Sequence, residues 1–324
     1  MAAERKEENV PVIVTADLPD YHLLRPNVVA IPMKLRNPPD AAARQRQLLD
    51  TAGPEERPNL SVKARRYLAS IGITDMVADS DAATLMWFHA LTIGFTPDYL
   101  TENSDGVRGN FPRIPLPATA AALRASAKLG EELADLLILE RPVQGLTSGA
   151  IRPELKSIAV ITRAGGGALD PSAGDLDVRA GWGHGGRDGI TMPGRGKVHE
   201  RPYTDAERAS LLAAASQRPD TPSFDPLEVL GSSTCDVFLN DVAFWGNVPV
   251  AVWDYAIGGY KILKKWLSYR EAAVIGRGLS EDEVRTFTAV ARRITAILLL
   301  GPALRNNYEA IKRHTYPWPR GDDQ

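Results

Sequence analysis

Along residues 281–300 the apolar positions Val284, Phe287, Ala291, Ile294 and Leu298 recur every three or four residues, which gathers them on one side of an α-helix. Ser280 and Glu283 stand in capping-box spacing before this C-terminal amphipathic helix, and Gly301-Pro302 is expected to stop it. The segment 119–139 repeats the pattern, with Thr119 in cap position and Leu123, Ala127, Leu133 and Leu137 on roughly one face. From Ser61 to about Leu100 the spacing is again helical, with Leu68, Ile71, Leu85, Phe88 and Leu91 as core. Thr204 and Glu207 form another capping box, for a short helix through Ala215. Elsewhere the apolar runs shorten. VPVIVTADL and NVVAIPMKL near the start read as strand or extended chain, LKSIAVITR (155–163) as a strand, and DVFLN, VAFW and AVWDY as short stretches between turns.

Polar residues divide these elements. Residues 36–60 are rich in Pro, Asp, Arg and Gln and read as an exposed loop. FPRIPLP (111–117) holds three prolines in seven residues, which forbids regular structure and predicts a stiff connector. A boundary placed there separates an N-terminal connecting region, 1–110, from a second domain, 111–324. A chain of 324 residues is expected to form two or three packed units. The mixture of elements predicts an α+β fold: a loop-rich mixed core with supporting helices.

Charge changes the picture locally. The formal net charge is −2, which argues against a chain that coats nucleic acid indiscriminately. Residues 255–320, however, carry twelve Lys or Arg against five Asp or Glu, so the C-terminal fifth is expected to be the electropositive end. The one cysteine, Cys235, excludes an internal disulfide and any cysteine-cluster zinc site, and reads as a small buried hydrophobe. MAAERKEENV has no apolar leader region and the run ITAILLL is too short to span a bilayer, so the expectation is a cytoplasmic protein without membrane contact.

Several catalytic spellings fail on their chemistry. Asn37-Pro38-Pro39-Asp40 suggests the Asn-Pro-Pro-aromatic signature of amino-group DNA methyltransferases, but Asp40 cannot stack on a flipped base, so the segment reads as a turn. Gly181-Trp182-Gly183-His184-Gly185-Gly186 satisfies G-x-G-x-x-G, yet the RDGITMPGRGK stretch after it cannot open a helix to receive a phosphate. Gly196-Lys197 lacks the rest of a P-loop. Pro97-Asp98 with Glu154-Leu155-Lys156 spells a PD-(D/E)xK nuclease, with a gap that is too long and holds a predicted helix. The five histidines are dispersed and support neither a zinc site nor a hydrolase triad; His89, within WFHAL, reads as a satisfied core histidine.

Two basic constellations remain. The glycine-rich passage AGWGHGGRDGITMPGRGK (180–197) carries seven glycines among residues 181–196 and stands among Arg179, His184, Arg187, Arg195, Lys197 and Arg201. Glycines admit close approach of a ligand, and Arg or Lys supply phosphate contacts or a bidentate grip on guanine. His184 could meet a phosphate or base edge, or serve only the loop. The second is GGYKILKKWLSYRE (258–271), with Tyr260, Lys261, Lys264, Lys265 and Arg270. If helical, it sets the lysines on one side and Ile262, Leu263, Trp266 and Leu267 on the other, which makes Trp266 a core anchor. Composition alone favours DNA contact only slightly over a solvated surface.

Longer strings carry more. WDYAIGGYKILKKWLSYRE, VARRITAILLLGPALRNNY, FPRIPLP, SGAIRPELKSI, AGWGHGGRDGITMPGRGK and DVFLNDVAFWGNVPVAVWDY resemble, in consistent order from about Asn59 to Tyr308, the C-terminal specificity region of type ISP restriction-modification enzymes and their adenine-specific DNA methyltransferase relatives. The resemblance implies a module that reads double-stranded DNA and positions it for adenine N6 methylation, with the two basic segments as its characteristic stretches. It implies no cofactor on this chain, S-adenosylmethionine and ATP belonging to catalytic parts, and a separately encoded methyltransferase subunit as partner. Where the family often has Asp in its LGPALD-like string, Arg305 stands here. The alternatives are a stand-alone nuclease by the Asp98 and Glu154 spelling, and a structural partner subunit without DNA contact.

Overall fold

The structure, a computed structural model, describes residues 11–16, 30–36, 56–74, 82–109, 112–186, 189–213 and 224–318. The chain divides into two compact units: a helical one, Pro11–Ala134 with Leu304–Gln324, and one built around a sheet, Asp135–Ala303. The Asn37–Asp40 segment and Arg187 lie outside the described residues.

The helical unit begins with the short antiparallel strands β1 (Lys34–Arg36) and β2 (Glu56–Pro58). Helix α1 (Val62–Ser70) comes next, capped by the Ser61 hydroxyl, which accepts from the Ala64 N–H at 3.1 Å. Then come α2 (Ala82–Gly94), α3 (Pro97–Glu102), α4 (Ser104–Gly109) and α5 (Ala120–Leu137), whose last turn belongs to the other unit. Tyr67, Leu68, Ile73, Leu85, Leu116, Leu123 and Ala127 form its core, with the expected Ile71 and Phe88 packed partly buried against it. The proline stretch 112–117 is a staple within this unit. Its carbonyls, free of secondary structure, accept at alternate residues from three different helices: Arg113 from the Tyr99 hydroxyl at 3.1 Å, Pro115 from His89 at 2.9 Å and Pro117 from the Tyr67 hydroxyl at 2.7 Å.

His89 is fully buried and satisfied on both nitrogens. The Pro115 carbonyl can only accept, so Nε2 carries the proton. Nδ1 therefore accepts from the Ser126 hydroxyl at 2.8 Å, whose oxygen in turn accepts from the Asn307 amide at 3.0 Å. Burial lowers the His89 pKa from 6.5 to about 4. The unfolded chain thus takes a proton near pH 6.5 that the folded chain refuses until about pH 4. The contribution of neutral His89 is present above pH 6.5 and fades as pH falls toward 4, by up to about 3 kcal/mol. Urea midpoints measured at pH 7 and pH 4.5 should show this decline, and His89→Gln should flatten it; equal slopes in the two proteins would contradict the assignment.

In the second unit, α6 (Pro153–Lys156) and the turn after it take up Leu155–Ala159 of the expected strand 155–163, and only Val160–Arg163 forms β3. Pro153 fixes the first helical turn there. The hairpin strands β4 (Gly183–Gly185) and β5 (Thr191–Pro193) come next, then β6 (Val198–Pro202) and α7 (Asp205–Leu212), which has the predicted Thr204–Glu207 capping box. After α8 (Pro226–Leu230), strands β7 (Ser233–Phe238) and β8 (Ala243–Pro249) complete an antiparallel sheet ordered β3-β8-β7-β6, with a bulge between Cys235 and Val237. Cys235 is buried and its thiol is pushed up to about 11, first by burial, as expected of an inert hydrophobe. The chain continues through α9 (Val250–Trp253), the two-residue strands β9 (Ala256–Ile257) and β10 (Tyr260–Lys261), α10 (Ile262–Ser268), α11 (Ala272–Ile275) and α12 (Glu281–Arg313). Trp245 of the sheet stacks on Phe287 of α12 at 3.9 Å between ring centroids.

Helix α12 does not stop at Gly301-Pro302; it continues to Arg313. Proline removes one backbone bond and crowds the preceding turn, a cost of about 3 kcal/mol. The buried Leu304, Tyr308 and Ile311 continue the apolar spacing beyond it, and their packing outweighs that cost. Among the described residues this is the one helix long and apolar enough, by length and composition, to cross a membrane, but 61% of the qualifying window is buried inside the protein, as in a core helix.

Candidate nucleic-acid interface

The glycine pair that precedes the lysines has a local cause. Gly258 and Gly259 have φ of +60° and +79° and form the two-residue turn between β9 and β10, where both central residues need positive φ. The turn delivers the chain directly into α10. Leu263 and Leu267 face inward, buried, and Trp266 meets Phe287 edge-on at 5.7 Å, so the tryptophan is the core anchor that the spacing predicted. Lys264 is partly exposed and makes no ion pair or hydrogen bond with a described residue. Lys265 sits 3.5 Å above the ring of the half-exposed Tyr260, and Lys261 pairs with Asp254 at 2.6 Å.

The second basic segment is sewn to the first. The carboxylate of Glu271, three residues beyond α10, is nearly buried and accepts three consecutive backbone N–H groups: Gly181 at 3.0 Å, Trp182 at 2.7 Å and Gly183 at 3.4 Å. The Ala272 N–H returns a bond to the Val178 carbonyl at 2.7 Å. Gly183 lies so close to the end of α10 that a Cβ there would stand 1.9 Å from the Ser268 carbonyl oxygen, so only glycine fits. Trp182 fills the space behind, fully buried, its indole donating to the Phe238 carbonyl at 2.7 Å and its ring edge-on to Trp253. Segments 180–197 and 258–271, separate in sequence, thus form one structure, with the hairpin β4–β5 packed against α10 and α11.

The expected cations divide into two groups. His184 on β4 and Arg195 just after β5 are exposed and make no polar contact with described residues. Arg179 is exposed beside Asp177 at 2.5 Å, and Lys197 pairs with the open Asp241 at 2.8 Å, contacts that water and salt weaken. Arg201 belongs to the other group. Its guanidinium grips Glu207 at 2.8 Å and Asp236 at 2.9 Å and also donates to the Pro202 carbonyl, so all its donors are spent inside the protein. The Glu207 bonds, then those to Asp236, raise its pKa further above the usual arginine value. Arg270 likewise turns inward, 3.9 Å over the Trp266 ring and 3.4 Å from Glu283.

Several cations of the C-terminal stretch also meet carboxylates, in exposed pairs. Arg277 pairs with Glu283 at 2.6 Å, Arg285 with Glu281 at 2.7 Å, Lys312 with Glu102 at 2.8 Å and Arg305 with Asp98 at 3.0 Å. The last pair offsets the charge that Arg305 adds, and it also engages the aspartate of the nuclease spelling. Glu154, the other carboxylate of that spelling, is buried in the other unit at 3.3 Å from Arg152. Among the described residues no group of three or more His, Cys, Asp or Glu could hold a metal ion. Sequence reasoning missed Glu271: a single acid after Arg270 carries no pattern, and only the fold shows what it holds.

Residues 1–295 match the protein family described as the type ISP C-terminal specificity domain. No curated protein matches the chain. A solved cryoEM structure of a DrdV–DNA complex is similar at a TM-score of 0.38 and 16% identity, covering 82% of this chain, and this chain spans 21% of that one.

Proposed function

Since the chain belongs to the type ISP C-terminal specificity domain family, we propose that it is the DNA-recognition module of a type ISP-like restriction-modification system. The observation that carries the reading is the Glu271 junction, which joins a glycine-rich hairpin to a lysine-bearing helix, each with a cation next to or on it, Arg195 and Lys264, that has no ion pair among the described residues. In this reading Arg195 and Lys264, with Lys265, Lys261, Lys197 and Arg179 after release from their exposed partners, meet phosphates, and His184 and Tyr260 stand where groove edges can be met. Arg201 and Arg270 leave the contact set and support the surface from behind. Adenine N6 methylation would then be the work of a separate catalytic part, a methyltransferase subunit in the cytoplasm that would itself hold S-adenosylmethionine. The duplex would be positioned for it by this chain.

Replacing Arg195 and Lys264 with Ala tests the surface. Removing each phosphate-binding cation should flatten the dependence of log binding constant on log salt by about 0.9, so the double variant is expected to lower the slope by ~1–2 units while weakening binding about equally across sequences. An unchanged slope would place the DNA on another face.

A further inference from the structure

The hairpin β4–β5 has two unlike faces. Its register pairs Gly183 with Pro193, His184 with Met192 and Gly185 with Thr191, and the Gly186 N–H continues it by donating to the Ile190 carbonyl at 2.7 Å. Side chains alternate across such a ribbon, so His184, Met192 and Ile190 share one face and Gly183 belongs to the other. At Gly183 that face is closed against the end of α10. The opposite face is open: Ile190 is 61% and Met192 46% exposed, and the Met192 side chain lies across Gly186, where a Cβ would stand 2.8 Å from its Cγ. Two large apolar side chains are therefore held out in water on a ribbon that is otherwise glycine, polar residues and Pro193.

Among the described residues neither side chain is buried in a core. They are too few for a protein interface, which needs about 800 Å² from each partner. A two-stranded ribbon, by contrast, fits the major groove of duplex DNA, where the apolar feature on offer is the 5-methyl group of thymine. The chemistry beside them is complementary to that ligand: His184 directly opposite Met192, and Arg195 a short step beyond β5, both without a partner among the described residues.

We infer that the open face of this hairpin is a base-reading ribbon in which Ile190 and Met192 contact thymine methyl groups in the major groove. The inference rests on the DNA-recognition reading above and adds to it the specificity-determining residues and the base feature they read. Gly183 lets the ribbon sit against α10, while the phosphate-binding cations hold it in register on the duplex.

The test begins with the motif that the unsubstituted full chain selects from a random duplex library, then repeats binding on that duplex with each thymine replaced by uracil. Removal of a contacted methyl should weaken binding roughly fourfold, the value of taking one methyl-sized group out of water. The double variant Ile190→Ala, Met192→Ala should melt at the temperature of the parent, because both side chains are exposed, and should bind the thymine and uracil duplexes alike. A parent chain indifferent to uracil, or a variant that keeps the parent's discrimination, would overturn the inference and leave the DNA-recognition reading standing. No selected motif at all would overturn both.

Discussion

Arg293→Met is expected to destabilise the protein by about 3–5 kcal/mol, the range for removing one partner of a buried charged contact. Arg293 is 3% exposed and its guanidinium donates to backbone carbonyls: Asp135 at 2.6 Å, Leu136 and Ile138 at 3.1 Å, Leu139 at 3.4 Å, and Arg141. These include the last-turn carbonyls of α5 and the chain that leaves it, groups a helix end exposes without partners of its own. The positive charge also lies at the negative end of the α5 dipole. Burial lowers the arginine pKa from its ordinary value, yet the side chain remains the charged form that carbonyls require. Methionine would fill the volume and leave those carbonyls unmet. Arg293→Lys should recover little, because an ammonium has three donors and no planar fork. Urea denaturation of both variants checks this; a drop under about 1 kcal/mol in Arg293→Met would show that water replaces the guanidinium.

Glu271→Ala should cost about 2–4 kcal/mol and, beyond that, separate the hairpin from α10. The Trp182 and Gly183 N–H groups would be left without an acceptor in a buried setting, and an unsatisfied buried donor costs about 1–3 kcal/mol. The functional consequence is geometric: phosphate and base contacts on the hairpin keep their register only while the junction holds. DNA affinity should therefore drop by at least about tenfold at temperatures where the variant is still folded, with hydrogen exchange at residues 181–183 rising from the protected to the unprotected range. Glu271→Gln, which keeps one carbonyl oxygen, should fall between. Unchanged affinity in Glu271→Ala would mean that the hairpin does not touch DNA.

The sequence made legible those elements whose cause is local. The Thr204–Glu207 and Ser280–Glu283 capping boxes form as spaced, and the apolar faces of α5 and α12 are buried. His89 and Cys235 are the core residues they were read to be. Features set by distant partners were not legible. Pro302 reads as a stop because the burial of Leu304, Tyr308 and Ile311, which outweighs it, depends on packing. The prolines of 112–117 read as a connector, since the hydroxyl and imidazole groups that bind their carbonyls come from three separate helices. Charge counting points to a basic C-terminal end, but it does not show that Arg305 and Lys312 meet Asp98 and Glu102, carboxylates 207 and 210 residues away. Within the candidate site, the cations of both segments were visible in the sequence; that Arg201 and Arg270 serve the interior, and that Glu271 joins the segments, depends on partners brought together by the fold, up to 90 residues apart for Glu271 and Gly181.

Selection of bound duplexes from a randomised library by the purified full chain, at moderate salt and with sequencing of the bound fraction, tests most directly whether this protein reads DNA. Enrichment of one asymmetric motif is the predicted result. Weak, salt-sensitive retention of all sequences alike would contradict it.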